Sequence, residues 1–349
     1  MPKAFKTLFE TALEFCTIKD IHALLSAAKE SGHEVKLTAP TLAALVNENL
    51  RAAIDAKGVS VEAVYDLIRE AEENGRQHIY YYRPAAKDFA NVPISEVGTR
   101  LWGPNWAETM HFPRFELKEN GFTYADLRQW NPHKKPLDWA LKVYGQQLFE
   151  EQEGDDERID ERTIKRTYIL QPRRLVLLLR WNSPDLLEIR VPQSTSRKHV
   201  KQWLDQAWVM AAKVFRSDNF TPWDLNGARR ALVNQQAKFA KIYRFSHSRL
   251  EDDDHNMISI SSAHTEQSLE ASTPIVKSMQ DLVKPGIGEC RYLRVTWLPT
   301  KDGVPAEELV SYLGDQEVNE IGIGRRCSAP EIDYVTEQLQ YFSKPDPGV

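Results

Sequence analysis

One group of charged residues in this chain has a spacing close to that of a nuclease site. A metal-dependent nuclease of the restriction-endonuclease type needs an acidic residue on one strand and Glu/Asp-x-Lys on the next. The carboxylates hold the metal, and the lysine stabilises developing charge. Asp185 and Glu188-Ile189-Arg190 are the nearest match, but arginine replaces lysine and Asp185 falls within a predicted turn. A nuclease that uses Glu188 and nearby acids is therefore kept as an alternative.

Other patterns for catalysis or cofactor binding are missing from the sequence. It has no G-x-S-x-G of a serine hydrolase, no P-loop and no H-E-x-x-H. Cys16, Cys290 and Cys327 lack the C-x-x-C spacing of a zinc ribbon, and so few cysteines fit a reducing compartment. The sequence predicts no cofactor and no metal site, and it favours a protein that is not an enzyme.

Basic residues occur in local clusters, and one cluster is interleaved with Phe239, Tyr243 and Phe245. Arginine and lysine are common contacts of phosphate oxygens in nucleic-acid complexes. The candidate phosphate contacts are Arg69, Arg76, Arg166, Arg173, Arg174, Arg197, Lys198, Lys201, Arg229, Arg230, Lys238, Lys241, Arg244 and Arg249. Basic residues at the start of a helix oppose its macrodipole, so the group at 197–201 favours a bound anion. The same side chains could instead pair with the acidic stretches at 150–161 and 251–254, and this alternative stays open.

The composition is that of a globular protein. The 349 residues carry a formal net charge of −5, with 42% hydrophobic and 27% charged residues. This excludes a protein coated with basic residues for indiscriminate nucleic-acid binding, while local basic faces remain compatible with it. The longest apolar run, Leu175–Leu179, is far shorter than the roughly 20 residues that cross a bilayer. We expect a cytoplasmic protein without membrane insertion.

Two N-terminal segments differ in character. Residues 1–83 are predicted to form a helical domain that ends in a strand at His78–Tyr82. Helices followed at once by a strand are typical of a winged helix-turn-helix, and equally of a small helical domain that packs on a sheet. Residues 84–161 are rich in aromatic residues and proline, and we expect an irregular connection there. Within it we expect one short strand at Phe112–Leu117 and an exposed acidic loop at Glu150–Glu161.

Residues 162–349 are predicted to form a body of sheet and helices. Leu175–Leu179 is apolar on both faces, as in a central strand, and a hairpin turn leads to the strand Leu187–Val191. The elements predicted near the C-terminus are strand Cys290–Leu298, helix Ala306–Leu313, strand Val318–Ile323 and helix Pro330–Phe342. The expected fold class is α+β, with an N-terminal helical domain followed by a largely antiparallel sheet and packed helices.

A short stretch occurs twice, 132 positions apart. Glu188-Ile189-Arg190-Val191 is followed by Ser196, and Glu320-Ile321-Gly322-Ile323 is followed at the same interval by Ser328. Each copy has the pattern of a strand, a polar turn, a serine helix cap and an amphipathic helix. We interpret residues 173–216 and 289–342 as two related strand–turn–strand–helix units. Such motifs also resemble one another by chance, so convergence stays an alternative.

These observations favour a non-enzymatic binding or adaptor subunit of a larger assembly. We expect it to have protein partners and to contact nucleic acid through its local basic clusters. The alternatives are the nuclease described above and a purely protein–protein scaffold, for example in a bacterial multi-gene system such as phage defence.

Overall fold

The structure, a computed structural model, describes most of the chain. The described residues are 3–86, 92–117, 121–131, 135–182, 184–194, 196–262, 269, 272–284, 287–314 and 316–344. The helices before the first strand are α1 (Lys3–Phe15), α2 (Ile18–Glu30), α3 (Leu42–Ala44) and, after a π-helical turn (Leu45–Leu50), α4 (Arg51–Asp55) and α5 (Val61–Glu73). The Thr17 and Ser60 side chains accept backbone N–H groups and begin α2 and α5, as is usual for threonine and serine at an N-cap.

The rest of the chain contains both strands and helices. The strands are β1 (Gln77–Pro84), β2 (Thr123–Asn131), β3 (Lys135–Gln152), β4 (Glu157–Arg158), β5 (Ile164–Lys165), β6 (Tyr168–Asn182), β7 (Leu186–Pro192), β8 (Phe220–Pro222), β9 (Tyr243–Asp252), β10 (Met257–Ser261), β11 (Gly288–Trp297), β12 (Leu309–Leu313) and β13 (Glu320–Ile323). The helices are α6 (Ile94–Trp102), α7 (Trp106–Thr109), α8 (Arg197–Ala211), α9 (Asn226–Asn234), α10 (Gln236–Phe239), α11 (Thr273–Leu282) and α12 (Ala329–Phe342). The α+β class expected from the sequence is confirmed, and no helix in the described ranges is both long and apolar enough to span a bilayer.

One antiparallel sheet joins strands from all three predicted segments. Its order is β10-β9-β11-β12-β13-β1-β7-β6-β3-β2, and β8 pairs with the end of β1. The strand β1 lies at the centre, with β13 on one side and β7 on the other. Strands β4 and β5 form a separate pair at the tip of the β3–β6 hairpin, where residues 152–161 of the acidic stretch are exposed.

The central strand β1 shows how the two faces of the sheet are built. Successive side chains of a strand point to opposite faces. Ile79 and Tyr81 point into a core shared with α9, α11 and α12, whereas Tyr80 and Tyr82 point into a core shared with α6 and α8. We call these sides the α12 face and the α8 face. The N-terminal helices pack over β3 and β6 on the α12 face, where their core includes Tyr144.

A buried ionic layer attaches α5 to the sheet. Nζ of Lys142 on β3 lies 2.6 Å from Oε2 of Glu72 and 3.0 Å from Oε1 of Glu73. Arg128 on β2 also pairs with Glu73, and the Tyr144 hydroxyl donates to Glu72 at 2.8 Å. Burial raises the pKa of Glu73, but the charges of Arg128 and Lys142 outweigh it and lower that pKa to about 2. Because loss of one partner would leave a buried charge uncompensated, this layer fixes α5 on the sheet.

The predicted helix Ala306–Leu313 is wrong. Its second half forms the strand β12, in which Leu309, Ser311 and Leu313 are buried and alternate with less buried residues. Alternation with a period of two is the pattern of a strand. The Pro-Ala-Glu-Glu run at 305–308, which is typical of a helix start, obscured it.

The segment 84–161, for which we expected an irregular connection, supplies the long strands β2 and β3. The predicted strand Phe112–Leu117 is wrong, since those residues form no strand. The real strands escaped detection because Asp126, Asp138 and Lys142 are fully buried within them. Charged residues are rarely buried unless paired, so they interrupt the apolar pattern on which strand prediction depends.

The winged-helix detail finds no support in this arrangement, because β1 lies at the centre of the large sheet rather than in a hairpin beside the helices. The segment boundaries at 83 and 161 stay predictions.

The two related units also stay a prediction, although their strands occupy comparable positions. Both β7 and β13 flank β1, close a hairpin and lead into a helix. Tyr80 lies opposite Ile189 in β7 but opposite Glu320 in β13. Directly opposed residues share a face, so this offset of one residue puts Glu188 and Glu320 on opposite faces of the sheet.

Candidate anion-binding site

Strands β9, β11, β12 and β13 present a row of polar and aromatic side chains on the α8 face. The register places His247, Arg294, Tyr312 and Gly322 opposite one another on these strands, with His78 of β1 next in the row. The helices α9, α11 and α12, which pack against these four strands, lie on the α12 face. We call the α8 side of these four strands the open face.

The alternation of β11 explains why these side chains point away from the core. Leu293 and Val295 are buried on the α12 face, while Tyr292 and Arg294 are only partly buried and point to the open face. A cavity of about 510 Å³ lies against this surface. Its lining includes His78, Arg197, His247, Arg249, Tyr292 and Tyr312.

Two tyrosines form the floor of this surface. The ring centroids of Tyr292 and Tyr312 are 6.4 Å apart, and their planes differ by 26°. The guanidinium of Arg249 lies 4.8 Å from the Tyr292 centroid, and that of Arg294 lies 5.8 Å from the Tyr312 centroid. A Cβ on Gly322 would lie 3.5 Å from the Tyr312 ring, so the ring rests against glycine backbone. These groups form a continuous layer of aromatic rings and cations.

Glu320 occupies the end of the cavity next to β1. Its Oε1 lies 2.6 Å from Nδ1 of His78 and 3.1 Å from Nη1 of Arg197, which opens α8. Burial raises the pKa of this carboxyl, but the His78 hydrogen bond and the nearby positive charges outweigh it, so the pKa is lowered. The carboxylate therefore stays ionised and holds Arg197 at the rim of the cavity.

Arg294 adds a further positive charge to the open face. Nε of Arg294 is buried and has no hydrogen-bond partner, and no carboxylate in the described ranges forms an ion pair with this guanidinium. Burial lowers the pKa of His247, and the charges of Arg249 and Arg294 lower it further. The effect of Arg249 and Arg294 on the pKa of His247 indicates that the electrostatic potential around this side chain is positive. The surface is suited to an anion.

Three of the predicted phosphate contacts meet at this surface: Arg197, Arg244 and Arg249. Arg244 is on β9 opposite Thr296 of β11 and pairs with Glu308 at 2.6 Å. Three further candidates are exposed and lie close in the chain or the fold to a cavity residue. Lys198 and Lys201 follow the cavity residue Arg197 in the first turns of α8. The backbone carbonyl of Arg76 accepts the N–H of the cavity residue Gln193.

Other predicted contacts are occupied inside the fold and do not belong to this surface. Arg229 is 1% exposed and donates to the carbonyls of Cys290 and Val318. Arg69 pairs with Asp66 and Asp126, and Arg174 pairs with Glu14. These arginines form ion pairs with carboxylates or donate hydrogen bonds to carbonyls within the chain.

The last group of candidates lies elsewhere on the molecule. Arg173 is on the projecting part of β6, and Arg166 pairs with Asp156 near the hairpin tip. Arg230, Lys238 and Lys241 are on α9, on α10 and just before β9. Since α9 and the Phe239 ring of α10 pack on the α12 face, these residues are not grouped with the open face.

The proposed nuclease residue Glu188 is fully buried. Its carboxylate accepts from Nη2 of Arg190 at 2.7 Å and lies 3.5 Å from Nη1 of Arg180. Burial raises its pKa, but these two charges outweigh it and lower that pKa. Across the described ranges, no group of three His, Cys, Asp or Glu side chains is placed to hold a metal. The nuclease stays an untested alternative that the position of Glu188 does not favour.

Sequence reasoning missed the residues that complete the open face: His78, His247, Tyr292, Arg294 and Tyr312. A signal was present in β11, where Tyr292, Arg294 and Thr296 alternate with Leu293, Val295 and Trp297. This alternation predicts one core face and one polar face. What it does not reveal is that the described helices α9, α11 and α12 all pack on the opposite face of these strands.

Comparison with known proteins adds no assignment: no family model, no curated protein and no solved structure matches this chain.

Proposed function

We propose that this chain is a non-enzymatic binding subunit that holds nucleic acid on the open face. The observation that carries the proposal is one surface on which Arg197, Arg249, Tyr292 and Tyr312 line a cavity and Arg294 lies over the Tyr312 ring. Arginines neutralise phosphates and aromatic rings stack on bases, so nucleic acid satisfies both kinds of group.

The distribution of charge supports the proposal. The whole chain has a net charge of −5, yet the cavity is lined by two arginines, Arg197 and Arg249, and one carboxylate, Glu320. The acids beside them are already matched, Glu320 by His78 and Arg197 and Glu308 by Arg244. Local positive charge in a cleft raises the local concentration of an anionic ligand even when the net charge is negative.

Fluorescence polarisation with labelled oligonucleotides over a salt series tests this function. If Arg197, Arg249 and Arg294 each neutralise one phosphate, the slope of log K against log salt is about −2 for a single strand. The affinity should then fall about 20-fold between 50 and 200 mM salt. The double substitution Arg249→Gln/Arg294→Gln should weaken binding and bring the slope to about −0.7.

The matched control is Arg166→Gln, which removes the same charge from an exposed side chain near the hairpin tip. It should leave affinity and slope unchanged. A flat salt response, or an equal loss in Arg166→Gln, would contradict the proposal. Absence of binding to both DNA and RNA would favour the protein–protein scaffold instead.

A further inference from the structure

The strands β2-β3-β6-β7 form one half of the sheet and β9-β11-β12-β13 form the other. Their strand registers match, so the two halves can be compared position by position. In each half a basic residue on the second strand lies opposite a residue of the third, which lies opposite a residue of the fourth. The two rows are Lys142–Leu178–Arg190 and Arg294–Tyr312–Gly322. Likewise Arg128 lies opposite Ala140, and Arg249 lies opposite Tyr292. In both halves a register irregularity follows the basic residue of the second strand, between Tyr124 and Asp126 and between Arg294 and Val295.

The first half shows what its basic row binds. Lys142 and Arg128 meet the carboxylates of Glu72 and Glu73, which the acidic helix α5 brings to the α12 face. The corresponding residues lie on the α8 side, where Arg249 lines the cavity and Arg294 lies over the ring of the cavity residue Tyr312. In the first half of the sheet, therefore, the two cations at these positions bind carboxylates.

The second half differs from the first at the positions between the cations. Tyr292 and Tyr312 stand where the first half has Ala140 and Leu178, so flat rings replace small or aliphatic side chains. Gly322 stands where the first half has Arg190, which donates to the end of α5 through the Glu73 carbonyl. The second half therefore lacks the contact by which Arg190 holds α5, and it has the rings of Tyr292 and Tyr312, on which planar groups can stack.

We infer that the ligand of the open face is single-stranded nucleic acid, with bases stacked on Tyr292 and Tyr312 and phosphates on Arg249, Arg294 and Arg197. This inference rests on the proposed function and narrows its ligand. The bases of a duplex are paired and stacked on each other and present only their edges, whereas unpaired bases offer their faces to aromatic side chains. The cavity beside the two rings gives such bases room.

Competition experiments on the full-length protein distinguish the two forms of ligand. A labelled single strand should be displaced by unlabelled single strand at least about tenfold better than by duplex of the same sequence, because only the single strand stacks. Tyr292→Leu and Tyr312→Leu should each weaken single-strand binding about tenfold while leaving the salt slope unchanged. Gly322→Val should weaken it as well, because branched methyl groups would meet the Tyr312 ring.

The matched control is Tyr168→Leu, which removes an exposed ring from the projecting hairpin and should have no effect. Circular dichroism spectra and melting curves that match the unsubstituted protein show that each variant is folded. Equal displacement by duplex, or unchanged affinity in both tyrosine variants, would overturn the inference while leaving nucleic-acid binding in place. If neither form binds but a synthetic acidic helical peptide binds in an Arg249- and Arg294-dependent manner, the proposed function and this inference both fail.

Discussion

Removal of the Glu73 carboxylate should cost stability in a way that depends on pH. Glu73 is 1% exposed and lies between Lys142 and Arg128, so its pKa is lowered to about 2 from about 4.3 in an unfolded chain. A shift of two pKa units or slightly more corresponds to about 3 kcal/mol of folding free energy at neutral pH. Glu73→Gln should therefore destabilise the protein by about 3 kcal/mol at pH 7, within the range known for broken buried pairs.

The sign of the pH dependence follows from the lowered pKa. The stabilisation by Glu73 is complete above the unfolded pKa and is lost as pH falls from about 4.3 towards 2. Urea unfolding followed by tryptophan fluorescence at pH 7, 5, 4 and 3 measures it. The difference between the original and substituted proteins should be constant down to about pH 5 and then shrink by about 1.4 kcal/mol for each further pH unit. Other carboxylates are common to both proteins and largely cancel.

A matched control uses an exposed ion pair. Asp156 is paired with Arg166 near the hairpin tip, and Asp156→Asn should leave the unfolding midpoint unchanged at pH 7. A Glu73→Gln difference that stays the same from pH 7 to pH 3 would refute the reasoning. So would a loss no larger than that of Asp156→Asn, since it would show that the ionic layer between α5 and the sheet does not stabilise the fold.

Three further outcomes are expected. Ser328→Ala should cost about 1 kcal/mol in urea unfolding because it removes the hydroxyl that forms a capping box with Glu331 at the start of α12, whereas Ser196→Ala, which removes no cap hydrogen bond, should cost only a few tenths. Arg229→Met should cost about 1–3 kcal/mol because the buried Cys290 carbonyl loses the Arg229 donor, while the Val318 carbonyl keeps the N–H of Leu225, yet polarisation should show unchanged affinity in the folded protein. Nucleic-acid binding should strengthen as pH falls below the ordinary histidine pKa of about 6.5, because the lowered pKa of His247 delays its protonation to more acidic solution, and this change should disappear in His247→Gln.

The sequence predicts the local elements where apolar alternation or helical capping is intact. The strand Leu187–Val191 lies within β7, Cys290–Leu298 corresponds closely to β11, and the predicted helical segment at the N-terminus contains α2 and α5 with Thr17 and Ser60 as their caps. It fails where buried charge replaces apolar residues, because Lys142 in β3 pairs with Glu72 and Asp126 in β2 pairs with Arg69, and both partners are distant in sequence. Pairing of that kind cannot be deduced from a linear pattern.

The candidate site was only partly predictable for the same reason. Arg197, Arg244 and Arg249 belong to the predicted clusters, and the structure brings them to one face. Arg69, Arg174 and Arg229 have the same chemistry in the sequence, yet their charges or donor groups are used within the fold. Only the register of the strands and the position of the helices separate the two groups.

The position of β1 at the centre of the sheet also determines what a shortened chain would do. Its backbone bonds to β7 on one side and to β13 on the other, and its side chains alternate between two cores. A fragment truncated before residue 320 would retain β1 but expose the N–H and C=O groups that β13 normally satisfies. Unpaired strand edges recruit other chains, so such a fragment should aggregate rather than behave as an independent half.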